Sequence, residues 1–414
     1  MDDLQNNVQV PTFFVCPISL EIMKDPVTLS TGITYDRDSI EKWLFSQQND
    51  QVCPVTKQVV FDIELTPNLT LRRLIQSWCA LNRSSGVETL PKPRLPIIKT
   101  EIIKLLKDSK SPHRRIESLK RLKTIVLESE RNKRLLESVG AVDHLMFILN
   151  KVNINVMTSS FTGEVTGADE ALSILYHLKL SPTGIKSLFE KTGDFVETLT
   201  RVMQRAAGSE SRTYAVMLLR SMFEVAEPMQ VTSLNPNFFI ELIHILNDQI
   251  SQKATKATLE LLINVCSYGR NRIKVAEVGA VAVLIDTLLN HQEKRVSEMI
   301  IMVLDQICQC AEGWAELLKH GGGLAVVSKK IFRVSSVASE SAVRILHSVT
   351  KYSGDRSVVQ EMLQVGVVGK LCLVMEVDCG KKMKEKAREI LKMHSRVWRD
   401  SPCIPKNLIS SYPS

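Results

Sequence analysis

The sequence predicts a mostly α protein, in which a small α+β module precedes a long helical solenoid. Strand signals are confined to the first eighty residues, where the apolar stretches 27–29 and 33–35 flank the turn residues 30–32. From residue 97 to about residue 398, helical patterns follow one another without the alternation of apolar and polar residues that marks strands. One polar position also recurs within these helices every 42 to 44 residues, which indicates a repeat.

Composition and length favour an intracellular protein with more than one domain. The chain has 414 residues, of which 44% are hydrophobic and 24% are charged. Its nine cysteines are scattered through apolar segments, which is typical of reduced, buried thiols. The N-terminus lacks the pattern of a signal peptide, and no apolar run approaches the ~18 residues of a membrane span. We therefore expect no membrane span and a location in the cytoplasm or the nucleus.

The formal charge of +8 is concentrated in two stretches, 99–134 and 381–399. Neither stretch interleaves aromatic residues as a base-stacking surface would. Solvated helix faces are thus favoured over RNA or DNA binding, and an acidic protein partner stays open.

The stretch from residue 14 to residue 78 has the skeleton of a zinc-bound RING domain without most of its ligands. Such a domain would place Cys or His at the positions of Cys16, Ser19, Thr31, Ile33, Asp36, Ser39, Cys53 and Thr56. Structural zinc takes four Cys or His ligands per ion, and only two of these residues qualify. The sequence therefore predicts no metal here and no cofactor. Hydroxyl and carboxylate groups of the remaining polar residues would hold the two loops instead.

Two helices complete the predicted module. Asp38 and Glu41 fit a capping box at the start of the first helix, with Asp36 as an alternative cap. Ile40 and Leu44 then supply a core face, which leaves Trp43 on the shoulder beside the two loops. The second helix starts at 67–68, and its predicted apolar stripe is Leu71, Leu74, Ile75 and Trp78, with Trp78 against Ile40 and Leu44.

This module resembles the U-box of ubiquitin ligases in five matched blocks, residues 16–26, 31–37, 40–44, 53–57 and 65–68. The resemblance implies that the module docks a ubiquitin-conjugating enzyme charged with ubiquitin. The docking residues that it implies are Ile18, Leu20, Trp43 and Pro54, with Lys57 favouring the reactive pose of the bound ubiquitin. The structural residues of the module would be Cys16, Ser19, Asp36 and Cys53.

No residue set in the chain is typical of covalent catalysis. Cys16 and Cys53 have no histidine near them in sequence. The glycines 321–323 lack the Gly-Lys-Ser/Thr of a phosphate-binding loop. The resemblance accordingly implies a RING-type ligase that positions reactants and carries no covalent intermediate.

The recurring polar position defines a row of residues that would line a groove of the solenoid. Its members are His177, Ser221, Asn264, Gln306 and Ser348. The spacing resembles that of armadillo repeats, which run ~40 to 47 residues. Thr124 lies 53 residues before His177, which predicts an inserted loop at 150–169. We expect about six repeats and a frayed seventh at 381–398. Since only Asn264 carries the asparagine of peptide-clamping armadillo proteins, a substrate other than an extended peptide is favoured.

The predicted order is a disordered N-terminus at 1–10, the U-box at 11–83, a linker at 84–96 that lets the U-box swing, the armadillo array at 97–398, and a tail at 399–414. This order resembles plant U-box/armadillo ligases implicated in stress and immune signalling. The armadillo array would then recruit a protein substrate. The alternatives are a non-catalytic armadillo scaffold with an inactive U-box and, third, a nucleic-acid binder. The resemblance leaves a homo-oligomer through the U-box open.

Overall fold

A computed structural model describes residues 10–45, 52–60, 65–83, 98–155, 167–191, 195–205, 209–290, 293–353, 355–398 and 412. The chain divides into two compact units. The first comprises Met1–Met146 with His177–Lys179, and the second comprises Phe147–Tyr176 with Leu180–Ser414. The division runs inside the helical array and not at the predicted linker 84–96, which lies outside the described residues, as do the predicted termini 1–9 and all of 399–414 except Tyr412.

The N-terminal module is a three-stranded sheet with two helices. The sheet has the order β2-β1-β3 and is antiparallel throughout. A 3-10 turn precedes it. The elements are the turn Thr12–Phe14, β1 (Pro26–Thr28), β2 (Thr34–Asp36), α1 (Arg37–Phe45), β3 (Thr66–Pro67) and α2 (Leu69–Leu81).

The predicted hairpin is confirmed, with Val27 opposite Tyr35. Gly32 closes its turn at a φ of +82°, a left-handed conformation that glycine adopts without strain. β3 was not predicted, because a strand of two residues carries no alternating pattern. Asn68 caps α2 by accepting a hydrogen bond from the Leu71 N–H at 3.0 Å.

Two details of the predicted helices are wrong. α1 already begins at Arg37, so Asp38 lies inside the first turn and cannot be the N-cap of a capping box. Leu74 is 52% exposed and does not belong to the buried stripe of α2, whereas Ile75 is fully buried. Trp78 packs against the core, and its ring contacts Phe14 at a centroid distance of 5.8 Å.

The array that follows is helical throughout its described part. The first unit contains α3 (Lys99–Asp108), α4 (Pro112–Glu128), α5 (Glu130–Ser138) and the start of α6 (Ala141–Asn155). α6 therefore extends into the predicted insertion at 150–169, and α7 (Gly167–Leu178) begins before that stretch ends. Residues 156–166, between these helices, lie outside the described part.

The second unit repeats a triplet of helices. Its further elements are α8 (Pro182–Lys191), α9 (Phe195–Arg205), α10 (Ser209–Phe223), α11 (Pro228–Thr232), α12 (Pro236–Asp248), α13 (Gln252–Val265), α14 (Gly269–Glu277), α15 (Ala280–Asn290), α16 (Lys294–Ile307), α17 (Ala311–Lys319), α18 (Gly323–Lys330), α19 (Ser336–Ser353), α20 (Arg356–Gln364), α21 (Val367–Glu376), α22 (Lys381–Met393) and α23 (Ser395–Trp398).

Equivalent helices of successive triplets pack on one another. The third helices α10, α13, α16, α19 and α22 contact in that order, and the second helices α9, α12, α15, α18 and α21 do the same. This stacking joins the apolar faces of the repeats into one core, as the period predicted. The predicted frayed seventh repeat differs, because α22 packs on α19 and α21 and so completes the triplet that α20 begins.

Among the described residues, no single helix is both long and apolar enough to cross a bilayer. The pair Arg356–Gln364 and Val367–Glu376, bent by 68°, passes that test jointly on length and composition alone.

Candidate functional site

Two loops of the N-terminal module are built alike. The first loop, 16–21, is closed by two backbone hydrogen bonds. The Cys16 N–H donates to the Glu21 carbonyl at 2.8 Å, and the Leu20 N–H donates to the Cys16 carbonyl at 2.9 Å. A single β-bridge between Val15 and Ile22 closes the base of this loop.

The second loop, 53–58, repeats this pattern. The Cys53 N–H donates to the Gln58 carbonyl at 2.8 Å, and the Lys57 N–H donates to the Cys53 carbonyl at 2.9 Å. Leu20 and Lys57 occupy equivalent places and both have a positive φ, of 58° and 59°. Each loop therefore turns back on its cysteine as a metal-binding loop would.

In the first loop, neighbouring groups hydrogen-bond the Cys16 thiol. Cys16 is fully buried, and its sulfur accepts the Asp36 N–H at 3.3 Å. Burial opposes ionisation of this thiol, but bonds from Ser19, from the Asp36 N–H and from the Ile18 N–H together lower its pKa. The predicted structural residues Cys16, Ser19 and Asp36 thus meet at one sulfur.

The Cys53 thiol is the centre of a second, stronger set of contacts. Its sulfur lies 3.4 Å from the Thr31 hydroxyl, 3.1 Å from the Tyr35 hydroxyl and 3.5 Å from the Thr56 N–H. Burial raises the pKa of this thiol, yet the bonds from Thr31, Thr56 and Tyr35 outweigh burial and lower the pKa to about 6. The Tyr35 hydroxyl also accepts the Val55 N–H at 3.3 Å, so one phenol joins β2 to the second loop.

Carboxylates hold the segment before β1 against β2 and both helices. Asp36 accepts the backbone N–H groups of Lys24 at 2.7 Å and Asp25 at 2.9 Å. Asp25 pairs with Arg37 of α1 at 2.6 Å and with Arg72 of α2 at 2.9 Å. These contacts join the segment before β1 to both helices.

Ser39, which the sequence offered as another replacement, lies in the first turn of α1 and supplies none of the contacts described above. Nor does the part of the chain that the structure describes contain a group of three or more His, Cys, Asp or Glu residues arranged to hold a metal ion.

Trp43 and Lys57 lie together beside the second loop. The indole N–H of Trp43 donates to the Val52 carbonyl at 2.9 Å. The Lys57 ammonium lies 5.7 Å from the centroid of the indole ring, within the range of a cation–π contact. Trp43 is half-buried, which agrees with the shoulder position predicted for it.

The other predicted docking residues lie on the two loops. Leu20 is 77% exposed, whereas Ile18 and Pro54 are half-buried. Val55, beside Pro54 in the second loop, is 51% exposed. The docking role of these residues remains a prediction from the resemblance.

The polar row of the array lies on consecutive third helices. Ser221, Asn264, Gln306 and Ser348 lie on α10, α13, α16 and α19, which pack side by side, and His177 lies on α7. Asn264 is exposed, and its amide donates to the Phe223 carbonyl of the preceding triplet at 2.9 Å. The one asparagine of the row is thus already engaged within the array.

Ion pairs that join adjacent third helices accompany this row. Arg220 of α10 contacts Glu260 of α13 at 2.9 Å, and Arg344 of α19 contacts the buried Asp305 of α16 at 2.5 Å. His347 of α19 contacts Glu389 of α22 at 2.7 Å, but burial lowers the pKa of this histidine, so the contact is a hydrogen bond and not an ion pair. The two arginine–carboxylate pairs neutralise their own charges within the array.

Several residues that hold the site together were not predicted. The sequence pattern indicated that Tyr35 is a core residue of a hairpin, and nothing in it indicated that the Tyr35 hydroxyl would contact a thiol. Asp25 and Arg72 lie 47 positions apart, so only the fold brings them together. The period of 37 residues between the cysteines, with Leu20 and Lys57 at equivalent places, could have indicated the likeness of the two loops.

Two family models match the chain. The model "U-box domain" matches residues 10–84, and the model "Plant U-box protein ARM repeat region" matches residues 100–414. Together they cover the module and the array described above.

Similar proteins span the full chain. The E3 ubiquitin-protein ligase PUB23 of Arabidopsis thaliana is 54% identical over 99% of this chain and 98% of its own length. The E3 ubiquitin-protein ligase PUB22 of the same plant is 51% identical over 99% of this chain and 100% of its own length. A third, the E3 ubiquitin-protein ligase PUB24, is 36% identical over 99% of this chain and 97% of its own length.

Solved structures share the fold at low identity. A structure from work on the interaction between cadherin and beta-catenin has a TM-score of 0.56 and 14% identity, covering 80% of this chain and 58% of that chain. A crystal structure of an engineered protein has a TM-score of 0.50 and 18% identity, covering 75% of this chain and 71% of that chain. These two likenesses concern the fold alone.

Proposed function

Because the chain belongs to the plant U-box proteins with an armadillo-repeat region, it is a ubiquitin-protein ligase, and we propose that it acts purely by positioning. In this proposal the U-box docks a ubiquitin-charged conjugating enzyme through Ile18, Leu20, Trp43, Pro54 and Lys57. The armadillo repeats hold a protein substrate, and ubiquitin passes from the conjugating enzyme directly to a substrate lysine. The scaffold alternative is not favoured.

The observation that carries the docking proposal is the placement of Trp43. Its indole N–H bonds to the Val52 carbonyl and its ring lies under Lys57, which holds a large, partly exposed aromatic surface rigidly beside the loops. Aromatic residues held in this way are typical anchors of protein interfaces. Leu20, at 77% exposure, supplies an apolar side chain in the first loop.

Burial of the U-box thiols supports the absence of a covalent intermediate. Cys16 and Cys53 have no exposed surface, and Cys79 is 1% exposed. A thioester to ubiquitin would need a thiol that a protein-sized partner can reach. Positioning alone is sufficient, because holding two reactants in the right geometry can lower a barrier by about 7–11 kcal/mol.

We assign substrate recruitment to the groove along α10, α13, α16 and α19. The engaged Asn264 and the ion pairs between these helices argue against clamping of an extended peptide backbone. A folded protein surface, which could contact the polar row Ser221, Asn264, Gln306 and Ser348, fits this groove better. His177 of α7 continues the row in sequence.

The biological setting is likewise proposed. We assign the protein to the cytoplasm or the nucleus and to plant stress and immune signalling, which rests on family resemblance. Self-association through the U-box belongs to the same set of proposals. Size-exclusion chromatography with light scattering tests the last of these.

The proposed docking is tested by Trp43→Ala in a reconstituted assay with a pre-charged conjugating enzyme and free lysine as acceptor. The discharge rate is expected to fall about 30-fold or more, since interface anchors of this kind contribute ~2 kcal/mol or more. Leu74→Ala is the matched control, because Leu74 is also a large, half-exposed apolar residue of the same module but lies on α2. Discharge at the wild-type rate by Trp43→Ala would contradict the assignment of Trp43 to the docking surface.

A further inference from the structure

The loop between α18 and α19 presents an aromatic side chain from a backbone conformation that is rare for one. Phe332 has a φ of +61° and is 39% exposed. A positive φ is a genuine outlier for a bulky residue. Ile331, beside it, is fully buried, and the Phe332 N–H donates to the Ser339 hydroxyl at 2.9 Å. These contacts on both sides fix the backbone from which the ring projects.

The geometry of this loop does not itself require an aromatic residue. Gln249, in the corresponding loop two triplets earlier, follows α12 with a φ of +48° and an exposed side chain. Helices commonly end in a left-handed residue, usually glycine and sometimes asparagine. An exposed phenylalanine at such a place gains little for the fold, which indicates a contact outside this chain.

Positive charges surround Phe332. Lys329 and Arg333 are exposed, Lys330 is half-buried, and none of the three forms an ion pair with any described residue. No aspartate or glutamate occurs in the sequence from residue 317 to residue 339. Burial lowers the pKa of Lys330, and the charges of Lys329 and Arg333 lower this pKa further. The three cations therefore lie close together without a counter-charge in the described part of the chain.

The N-terminus of α19 adds to this positive surface. Ser335 caps the helix by accepting the Ala338 N–H at 3.0 Å. α19 has 18 residues, and the first turn of a helix carries partial positive charge from the helix dipole. Val337, in this turn, is 46% exposed. Because the Phe332 N–H bonds to Ser339, both exposed apolar residues belong to the same corner of the array.

Together these side chains form an aromatic–basic patch of Lys329, Lys330, Phe332, Arg333 and Val337. We propose that this patch binds an acidic segment of a partner protein, with an apolar side chain of that segment against Phe332 and Val337. Charge complementarity favours an acidic partner, and exposed aromatic residues beside arginine are typical anchors of interfaces. The patch is separate from the proposed substrate row, because Ser348 lies about 16 Å further along α19 than Val337.

The test is fluorescence anisotropy of the full chain with a fluorescein-labelled polyglutamate peptide that carries one central leucine. The wild type is expected to bind this peptide saturably, with an affinity that falls as salt is added. Phe332→Gln gives the loop the residue found at Gln249 and should weaken binding about tenfold, as loss of an interface anchor does. Lys329→Gln combined with Arg333→Gln should weaken binding about fivefold, the range of two exposed ion pairs.

Tyr352→Gln is the matched control. Tyr352 is 57% exposed on the same helix, and the Lys351 ammonium lies 5.1 Å from its ring centroid, but this pair is at the other end of α19. The control should bind the peptide with wild-type affinity. All variants should keep the wild-type rate of ubiquitin discharge onto free lysine, because the U-box is untouched.

Three results would overturn the inference. They are no saturable binding by the wild type, equal losses in Tyr352→Gln and Phe332→Gln, and wild-type affinity in both patch variants. Binding to phosphatidylserine vesicles that the patch variants lose, without binding of the peptide, would also overturn it and assign the patch to a membrane surface. Loss of discharge in the wild type would instead overturn the proposed function and leave the patch unaffected.

Discussion

Leu20 and Lys57 both adopt a left-handed backbone conformation, which glycine adopts more easily than residues with a Cβ atom. Both have φ near +60°, which costs of the order of 1 kcal/mol for a residue with a Cβ atom. Both are also predicted docking residues and lie at equivalent places of the two loops. Strain of this kind is retained at functional sites where the side chain is needed. Lys179, Gln249 and Phe332 of the array share a positive φ, so the conformation alone does not mark the docking residues, and the family resemblance carries that assignment.

Lys57→Gly separates strain from function. Relief of the left-handed conformation offsets the lost contact with Trp43 and the added entropy of glycine, so the free energy of unfolding should stay within about 1 kcal/mol of wild type. Ubiquitin discharge should nevertheless fall, because the ammonium is gone. Lys57→Arg keeps the charge and is expected to discharge at least as fast as wild type. Equal discharge rates for Lys57→Gly and the wild type would show that the Lys57 side chain does not contribute to ubiquitin transfer.

The Cys53 thiol makes the stability of the U-box depend on pH. Its folded pKa of about 6 is below the usual 9.0, so the folded state favours the thiolate. This stabilisation is complete above pH 9 and is lost as the pH falls towards 6. Chemical denaturation from pH 8 to pH 6 should show a loss of up to about 1.4 kcal/mol per pH unit that Cys53→Ala lacks.

Cys79→Ala is the control for this titration. Cys79 is buried in the same core, but burial raises its pKa, so it stays protonated in the folded state over this range. Its removal should lower stability without altering the slope. A wild-type slope that persists in Cys53→Ala would show that another group titrates.

At the scale of secondary-structure elements, the sequence predicted features that depend on neighbouring residues better than features that depend on contacts between distant residues. The hairpin, α1 and α2 were all indicated by turn residues and by helical spacing within a few positions of one another. β3 depends on pairing across the fold, which no local pattern contains, whereas the start of α1 at Arg37 agrees with the alternative cap Asp36. The same holds for the site: Cys53 and Thr56 were indicated by position, whereas the Tyr35 hydroxyl was not.

Close packing of helices within a repeat depends on Gly323, the first residue of α18. A Cβ atom there would lie 2.4 Å from the Leu317 carbonyl oxygen, so Gly323→Ala must displace backbone. Thermal denaturation of this variant is expected to show a loss of about 1–3 kcal/mol. Gly321→Ala, whose Cβ would meet no atom within 4 Å, should change stability by less than about 0.5 kcal/mol. Equal effects of the two substitutions would contradict this packing.

At the scale of the whole molecule, the repeat period predicted the stacking of helices because each triplet contacts chiefly its neighbours. That logic fails at the ends of an array. α22 completes the last triplet and does not begin another, and α1 of the U-box packs on α5, although the linker sequence had suggested a module free to swing. Junctions between different folds follow no period, so only the structure reveals them.

The central claim is that thiol, hydroxyl and carboxylate contacts, and not a metal ion, hold the docking surface of the U-box. This surface activates a ubiquitin-charged conjugating enzyme without covalent transfer to the ligase. The most direct test is single-turnover discharge onto free lysine by the full chain after incubation with a strong zinc chelator. The account predicts wild-type acceleration in the chelated sample and no thiol-sensitive ubiquitin adduct on the ligase. Loss of acceleration on chelation, or an adduct that a reducing agent removes, would contradict it.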